Sequence, residues 1–243
     1  MIEKRYWGGR RFPMPKKKKS LKSLSENQIK QLMRSMLSRK TTGEYYNFLN
    51  IRNAFAIQFQ FYLGLRPKEM YDGKLEYFDL EKKSYYIPAN NNKQRFEDFA
   101  FIPDFLIPRI KAYLKIREQF FPDNEWIFPT KSERGRIDRS YYTKVFRDAI
   151  KEIGLYYVSY KDGHGHKRAT FTPYSLRAGY GTHVFDKTGD IHKTAVALRH
   201  RDIQMRTTLT YVTSNREKFR SKVTEEVFGN DIAVEKEMFE NVE

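Results

Sequence analysis

Residues 45–69 read YYNFLNIRNAFAIQFQFYLGLRPKE, and this stretch decides how the rest of the chain is arranged. Positions 45–63 carry apolar side chains on nearly every face of a helix, which predicts a helix over that range. Because such a helix leaves no face for water, we expect it to lie at the centre of the fold. Gly64 ends the helix, and Arg66 and Glu69 follow closely.

Amphipathic patterns predict helices on both sides of the central one. Ser25 followed by Gln28 has the form of a capping box, and apolar residues then recur at helical spacing as far as about residue 37. Further helices are expected at about 104–119, at about 139–153, and from 173 to about 228 with breaks near 189 and 200.

Residues 74–102 predict a small antiparallel sheet. Three short segments, KLEYFDL, SYYIPA and FEDFAFIP, are separated by the polar turns 81–83 and 90–93. A second loop-and-strand stretch contains KDGHGHKRAT at 161–170. The sequence therefore predicts a single α+β domain that is mainly helical.

The composition indicates a folded protein that binds a polyanion. Of the 243 residues, 40% are hydrophobic and 16% aromatic, which is enough for a sizeable core. Lys and Arg number 46 against 30 Asp and Glu, which gives a formal net charge of +16. Nucleic acid is the commonest polyanion that so basic a chain attracts.

The expected compartment is a reducing cytoplasm, at the nucleoid of a prokaryotic cell or of a virus's host cell. The chain has no cysteine, which excludes disulfides, thiolate zinc sites and cysteine nucleophiles. No apolar run reaches the roughly 18 residues of a membrane span. The basic N-terminus lacks the apolar stretch of a signal peptide.

The two ends of the chain carry opposite charge. Residues 1–22 hold nine Lys or Arg and one acidic residue, so we expect residues 1–23 to form a flexible basic arm along phosphates. The arm residues expected to bind nucleic acid are Arg10, Arg11, Lys16, Lys17, Lys18 and Lys19. A solvated tail with no specific partner is the alternative for the arm. Residues 229–243 are acidic and carry apolar groups that need a surface to cover them.

Three short segments place cationic or imidazole side chains at the edges of helices. Arg66 lies in YLGLRPKEM, Tyr174 and Arg177 lie in TPYSLRAGYGTH, and His200 and Tyr211 lie in LRHRDIQMRTTLTY. The three-residue spacing puts Tyr174 and Arg177 on one helix face. Taken singly, each residue could be an ion pair, a surface charge, a capped helix end or a core aromatic.

Together, the three segments resemble the boxes of the tyrosine recombinase family, which includes the phage integrases and Xer recombinases. GLRPKE is similar to the first box, Gly-Leu-Arg-x-x-Glu. TPYSLRAGYGTH is similar to the second, usually His-x-Leu-Arg, with Tyr174 in the place of histidine. ALRHRDI and TTLTY are similar to Leu-Gly-His followed by Thr-Thr-x-x-Tyr, with Arg199 in the place of glycine. The similarity covers about 24–215 in the same order.

The resemblance implies that a tyrosine oxygen attacks a DNA phosphodiester and forms a covalent 3′-phosphotyrosine, without metal or other cofactor. It implies that Tyr211 is the nucleophile and that Arg66, Arg177 and His200 stabilise the charge on the phosphate. Tyr174, in the place of histidine, can exchange a hydrogen bond with the phosphate but cannot supply a cation.

The resemblance also implies a general acid, a lysine on a β-hairpin turn between the first two boxes. Lys93 lies on such a turn, but the spacing to Pro103 is about two residues longer than usual, so Arg95 is an alternative. The spacing from His200 to Tyr211 is likewise about two residues longer than the common one.

The loop DGHGHKR could suggest a metal site through His164 and His166. The neighbouring glycines, and the lack of a third ligand beyond Asp162, favour a flexible loop instead. We therefore expect no metal.

The resemblance implies that residues 24–228 form the catalytic domain. Members of the family usually carry a core-binding domain before it, and here the basic arm or a partner is expected to supply part of that grip on DNA. The expected partner is double-stranded DNA with paired recombination half-sites. The protein is expected to be a monomer when free and a homo-oligomer, a tetramer, on DNA, with residues 229–243 exchanged between subunits. A tail docked permanently on its own subunit is the alternative. Two alternatives remain: a type IB topoisomerase, which reseals the same strand, and a DNA-binding regulator that lacks catalysis.

Overall fold

The computed structural model of the protein describes residues 22–91, 96–161, 167–200 and 208. Its fold is α+β and mainly helical, which confirms the predicted class. The helices are α1 (Glu26–Leu37), α2 (Glu44–Tyr62), α3 (Pro67–Tyr71), α4 (Ile107–Phe120), α5 (Arg139–Glu152), α6 (Tyr174–Thr188) and α7 (Ile191–Ala197). The strands are β1 (Phe78–Asp79), β2 (Ser84–Ile87), β3 (Asp98–Phe101), β4 (Val158–Lys161) and β5 (Lys167–Ala169). Within these ranges, no helix has the length and apolar character needed to cross a bilayer.

Helix α2 lies at the centre of the fold, packed against α1, α4 and α6, as its sequence predicts. The rings of Phe55 and Tyr113 stack with their centroids 4.3 Å apart, and the rings of Phe59 and Tyr85 meet edge to face at 5.1 Å. Buried aromatic rings dominate the energy of a core. The central helix is therefore held from the α4 side and from the sheet side by ring contacts.

The helices that pack around α2 begin where local sequence signals predict them, except that α4 begins three residues later than expected. At α1 the predicted capping box is confirmed, because the Gln28 N–H donates to Ser25 Oγ at 3.3 Å and the Ser25 N–H donates to Gln28 Oε1 at 2.9 Å. The helix predicted from residue 104 begins as a 3-10 turn at Asp104–Leu106 and continues as α4.

The two antiparallel sheets are short. Strands β1, β2 and β3 pair in that order, and β4 pairs with β5. The strand predicted at KLEYFDL is wrong for most of its length, since Leu75–Tyr77 form a 3-10 turn and the pairing with β2 is limited to Phe78–Asp79. The Leu75 N–H donates to the carbonyl of Glu125 at 2.9 Å, which ties the start of this segment to the loop after α4.

A buried glutamine on α2 ties three parts of the fold together. Gln60 Nε2 donates to the carbonyls of Leu65 at 3.2 Å and Pro173 at 3.0 Å, which lie just after α2 and just before α6. Gln60 Oε1 accepts a hydrogen bond of 2.6 Å from the hydroxyl of Tyr142 on α5. This amide therefore fixes the segments that precede Arg66 and Arg177 relative to each other.

The turn after α2 requires a glycine. Gly64 has a φ of +58°, in the left-handed region that L side chains rarely adopt. A Cβ at this position would lie 2.4 Å from Cδ1 of Tyr180, closer than a packed carbon can come. The glycine of the GLRPKE segment is thus explained by both backbone conformation and space.

We expect Gln60→Leu to lower the free energy of unfolding by about 2–4 kcal/mol, because it removes three hydrogen bonds and leaves buried polar groups without partners. Urea denaturation measures the change. The matched control is Gln58→Leu on the same helix, where the side chain is also buried, at 4% exposure, but lines a groove. A loss no larger than that of the control would contradict the role of Gln60.

Candidate active site

The three segments singled out in the sequence converge just beyond the end of α2. Arg66 is the residue before α3, Arg177 lies in the first turn of α6, and His200 comes shortly after α7. Glu69 on α3 is the acidic residue that lies among them.

The Glu69 carboxylate contacts three guanidiniums. Its Oε1 lies 2.6 Å from Arg66 Nη1, and its Oε2 lies 2.8 Å from Arg199 Nη2 and 4.0 Å from Arg177 Nη1. The backbone N–H of Arg66 donates to Oε2 at 2.8 Å. The carboxylate side chain is 0% exposed, so no water reaches it.

The charge of this cluster is positive. Burial on its own raises the pKa of the Glu69 carboxyl, but the three guanidiniums beside it hold that pKa below its ordinary value. Glu69 is therefore ionised at neutral pH and cancels one of the three positive charges, and the partly exposed carboxylate of Asp98, 3.8 Å from Arg199 Nε, offsets part of a second. The cluster keeps a surplus of positive charge that suits an anion.

Arg177 is built into the base of the site. Its side chain is 0% exposed. Nη1 donates to the carbonyl of Gly64 at 2.6 Å, and Nη2 donates to the carbonyl of Leu198. Arg177 therefore joins the turn after α2 to the turn after α7 as well as adding charge. Arg66, by contrast, has a side chain that is 14% exposed.

His200 is half-buried beside the arginines, and its Nδ1 lies 2.9 Å from the hydroxyl Oγ1 of Thr208. The pKa of His200 is lowered to about 4, first because burial disfavours the imidazolium and then because the neighbouring guanidiniums repel it. The imidazole is neutral at pH 7. When Thr208 donates to Nδ1, the ring proton lies on Nε2.

Tyr174 does not share the environment of Arg177. It begins α6, one turn before Arg177, but its side chain is 45% exposed. The three-residue spacing predicts a shared face, and the structure instead places one residue at the surface and the other in the core. The reason is that α6 packs its first turn against the turn after α2, with Gly64 accepting from Arg177.

Several predicted site residues lie outside the described residues and stay predictions. They are Arg10, Arg11, Lys16, Lys17, Lys18, Lys19, Lys93, Arg95 and Tyr211, together with the tail 229–243. His164 and His166 lie outside as well. In the part of the chain that is described, no group of three or more His, Asp or Glu is placed to hold a metal ion.

Two residues of the cluster were not predicted from the sequence. Thr208 is buried and contacts His200. In the sequence, the TTLTY segment served only to identify Tyr211 and gave Thr208 no role of its own. The sequence shows Arg199 in the place of the family's usual glycine, but it does not show which groups the arginine side chain contacts. Both contacts depend on the tertiary fold.

Comparison with known proteins agrees with this geometry. A sequence model described as the phage integrase family matches residues 22–218. The match spans most of the chain, and the protein therefore belongs to the phage integrase family of tyrosine recombinases.

Individual relatives are distant. The tyrosine recombinase XerD of Caulobacter vibrioides is 25% identical over 208 residues, which are 84% of this chain and 62% of that protein. The crystal structure of the XerH site-specific recombinase bound to palindromic difH substrate, a post-cleavage complex, has a TM-score of 0.63 at 18% identity and covers 83% of this chain and 52% of that one. The crystal structure of XerA recombinase has a TM-score of 0.62 at 23% identity, with 84% and 65% covered. The chain thus spans less than two thirds of the length of each, and the structural likenesses show a shared fold.

We expect Glu69→Gln to lower the free energy of unfolding by about 3–5 kcal/mol, because it leaves buried guanidiniums without their counter-charge. The matched control is Glu152→Gln, which removes an exposed carboxylate 2.8 Å from Arg39 and is expected to cost less than about 1 kcal/mol. Urea denaturation at pH 7 compares the two.

The pH dependence gives a second measurement of the same interaction. Because the folded-state pKa of Glu69 lies below the ordinary 4.5, its stabilisation is fully present above that pH and is lost as pH falls through the lowered pKa. Glu69→Gln should lose less stability than the wild type over that acid range. Equal acid sensitivity in both proteins would contradict the assignment.

Proposed function

We propose that the protein is a site-specific DNA recombinase that cuts and rejoins DNA through a covalent bond between Tyr211 and a 3′ phosphate. The observation that carries this proposal is the convergence of three guanidiniums and a neutral histidine just beyond α2, where Glu69 is the buried carboxylate among them in the described part of the chain. Membership of the phage integrase family supports the same reaction.

The arginines supply the positive charge that Glu69 leaves uncancelled. A phosphodiester under attack gains negative charge on its non-bridging oxygens, and each preformed donor there is worth about 3–4 kcal/mol. Because Arg66 is partly exposed and Arg177 is fully buried, we assign the direct grip on the phosphate to Arg66. Arg177 acts from beneath through its charge and by fixing the two turns it joins.

His200 acts as a neutral hydrogen-bond donor. Its lowered pKa keeps the imidazole uncharged near pH 7. With Thr208 on Nδ1, the Nε2–H is the group that donates to a non-bridging oxygen of the phosphate. Tyr174, exposed at the start of α6, adds a hydrogen bond to the DNA but no charge.

In the cleavage step the Tyr211 oxygen bonds to phosphorus as the bond from phosphorus to the 5′ oxygen breaks. The phenol proton passes to a base, and the leaving 5′ oxygen takes a proton from Lys93 or Arg95. The phosphotyrosine keeps the energy of the broken ester, so an incoming 5′-hydroxyl can reverse the step without ATP.

Tyr211→Phe should abolish the covalent adduct and leave DNA binding unchanged, because it removes only the attacking oxygen. The measurement uses labelled DNA that carries the natural site, taken from inverted repeats beside the gene, and detects adduct by denaturing gel. Tyr180→Phe, at a partly buried tyrosine on α6 outside the proposed role, is the matched control and should keep the adduct.

The products decide among the candidate functions. Adduct with exchanged strands supports a recombinase, and relaxation of supercoiled DNA without exchange indicates a type IB topoisomerase. Binding by the wild-type protein with no adduct indicates a regulator. An adduct that persists in Tyr211→Phe would show that the nucleophile is a different residue.

The proposed substrate is double-stranded DNA with paired half-sites, bound by a homo-oligomer, a tetramer, that forms on the DNA. The XerH structure holds a palindromic DNA substrate, which supports a symmetric site by analogy. Arm residues 1–23 would add phosphate contacts, since they hold half of the net positive charge of the chain.

A groove of about 800 Å³ on the surface of the catalytic domain is suited to a subunit contact. Its floor is apolar and aromatic, with Phe61, Tyr62 and Phe105. Its rim is basic, and the cationic residues that line it are Lys30, Arg34 and Arg109, with the imidazole of His183 beside them. Glu26 is the acidic residue of the lining, and Lys30 already pairs with it at 3.0 Å.

We propose that residues 229–243 of a neighbouring subunit occupy this groove. The tail carries acidic and apolar side chains together: Asp231, Ile232, Val234, Glu235, Glu237, Met238, Phe239, Glu240 and Glu243. Acidic groups suit the basic rim and apolar groups suit the floor. The basic arm, by contrast, would meet like charges there.

Arg34→Glu should weaken assembly on a two-site DNA by about five-fold, the equivalent of roughly 1 kcal/mol. The double change Glu235→Lys and Glu237→Lys in the same chain should restore it, because the charges are exchanged. Native gels on one-site and two-site DNA separate assembly from DNA affinity. Lys111→Glu, on α4 outside the groove, is the control, and normal assembly after truncation at residue 228 would contradict the proposal.

A further inference from the structure

Arg199 has an unusual backbone conformation for its residue type. Its φ is +55°, in the left-handed region where glycine is favoured. Its side chain is 6% exposed and points into the cluster. Lys83 is another non-glycine residue with positive φ, at +52°, but its side chain is exposed on a turn between strands.

The Arg199 guanidinium reaches three separate parts of the fold. Nη1 donates to the carbonyl of Leu63 at 2.9 Å, and Nη2 donates to the carbonyl of Gly64 at 3.3 Å and to Glu69 Oε2 at 2.8 Å. Nε lies 3.8 Å from Asp98 Oδ2, at the start of β3, which is an electrostatic contact and not a hydrogen bond. The side chain therefore spans from the end of α2 to α3 and to the sheet.

These contacts lie next to the groups that the proposed reaction uses. Arg199 precedes His200 directly in the chain, and it shares Glu69 Oε2 with the N–H of Arg66. In the sequence, Asp98 follows closely on residues 92–95, which contain both candidates for the general acid. Arg199 contacts Glu69, Asp98 of β3 and the carbonyl of Leu63 at the end of α2 with one side chain.

We propose that Arg199 is a positioning residue for DNA cleavage, whose guanidinium fastens β3 and Glu69 to the carbonyl end of α2 and so sets the places of Arg66 and His200. This inference rests on the proposed recombinase function. Arg199 acts through its neighbours and does not touch the reacting phosphate.

The number and geometry of the contacts call for arginine. A guanidinium is a rigid fork with five N–H donors, so it can hold two carbonyls and a carboxylate at once. The ammonium of lysine is a point charge on a flexible stem and would keep the charge but not the span. Glycine would suit the backbone better but would leave the acceptors without a donor.

The test is Arg199→Gly, which relieves the left-handed backbone and removes the side chain. Single-turnover formation of the covalent adduct should slow by about 10- to 100-fold, the range expected from a displacement of roughly 1 Å at the reacting groups. DNA affinity should stay within about two-fold of the wild type. The matched control is Lys83→Gly, which also replaces a basic residue of positive φ and should keep the wild-type rate.

A spectroscopic measurement shows whether the site has rearranged. In the wild type the His200 ring should titrate near pH 4, and NMR of the histidine rings follows it. In Arg199→Gly the titration should move up towards 6.5, because the ring gains water and loses one neighbouring cation. The guanidiniums of Arg66, Arg177 and Arg199 are charged groups that face the ring and lower its pKa.

Arg199→Lys decides the case even when the glycine variant does not fold. It should fold and cleave at least about ten-fold more slowly than the wild type, because the fork is lost. If the wild-type protein forms adduct and either variant forms it at the same rate, the positioning role of Arg199 is wrong and the proposed recombinase function still stands. Absence of adduct in the wild-type protein overturns the proposed function, and this inference falls with it.

Discussion

The buried carboxylate of Glu69 is the constraint on which the rest of the site depends. A charge taken out of water is stable only when opposite charges and hydrogen bonds surround it, and breaking such a set costs several kcal/mol. Arginines from three different segments meet that requirement within 4.0 Å. The carboxylate thereby gathers segments that are far apart in the chain, and it leaves positive charge over for an anion.

The end of α2 provides a second set of acceptors for the same arginines. Carbonyls at the C-terminus of a helix lack partners within the helix and carry partial negative charge. The carbonyls of Leu63 and Gly64 accept from Arg199 and Arg177, while Gln60 binds the carbonyl of Leu65. A helix buried on all faces therefore places its unsatisfied end where the cationic side chains of α6 and of the turn after α7 can reach it.

The central helix, the capping box and the positions of Arg66, Arg177 and His200 could be predicted, because periodicity and short motifs record them locally. The strand expected at KLEYFDL could not, because the Leu75 N–H bonds to a carbonyl fifty residues away in the chain. The burial of Arg177 and the exposure of Tyr174 could not be predicted from the sequence either, because both depend on how α6 packs and not on the spacing of the two residues.

Arg199 illustrates how a local preference yields to the tertiary structure. A left-handed backbone costs a non-glycine residue about 1–2 kcal/mol. A hydrogen bond to a charged group is worth about 1.5–3 kcal/mol, and the guanidinium makes one of these to Glu69 and two more to backbone carbonyls. The contacts outweigh the backbone cost, so arginine is stable where glycine is the locally favoured residue. The resulting bonds converge on Glu69 and on the end of α2, so the same balance that stabilises the turn underlies the positioning role that we propose for Arg199.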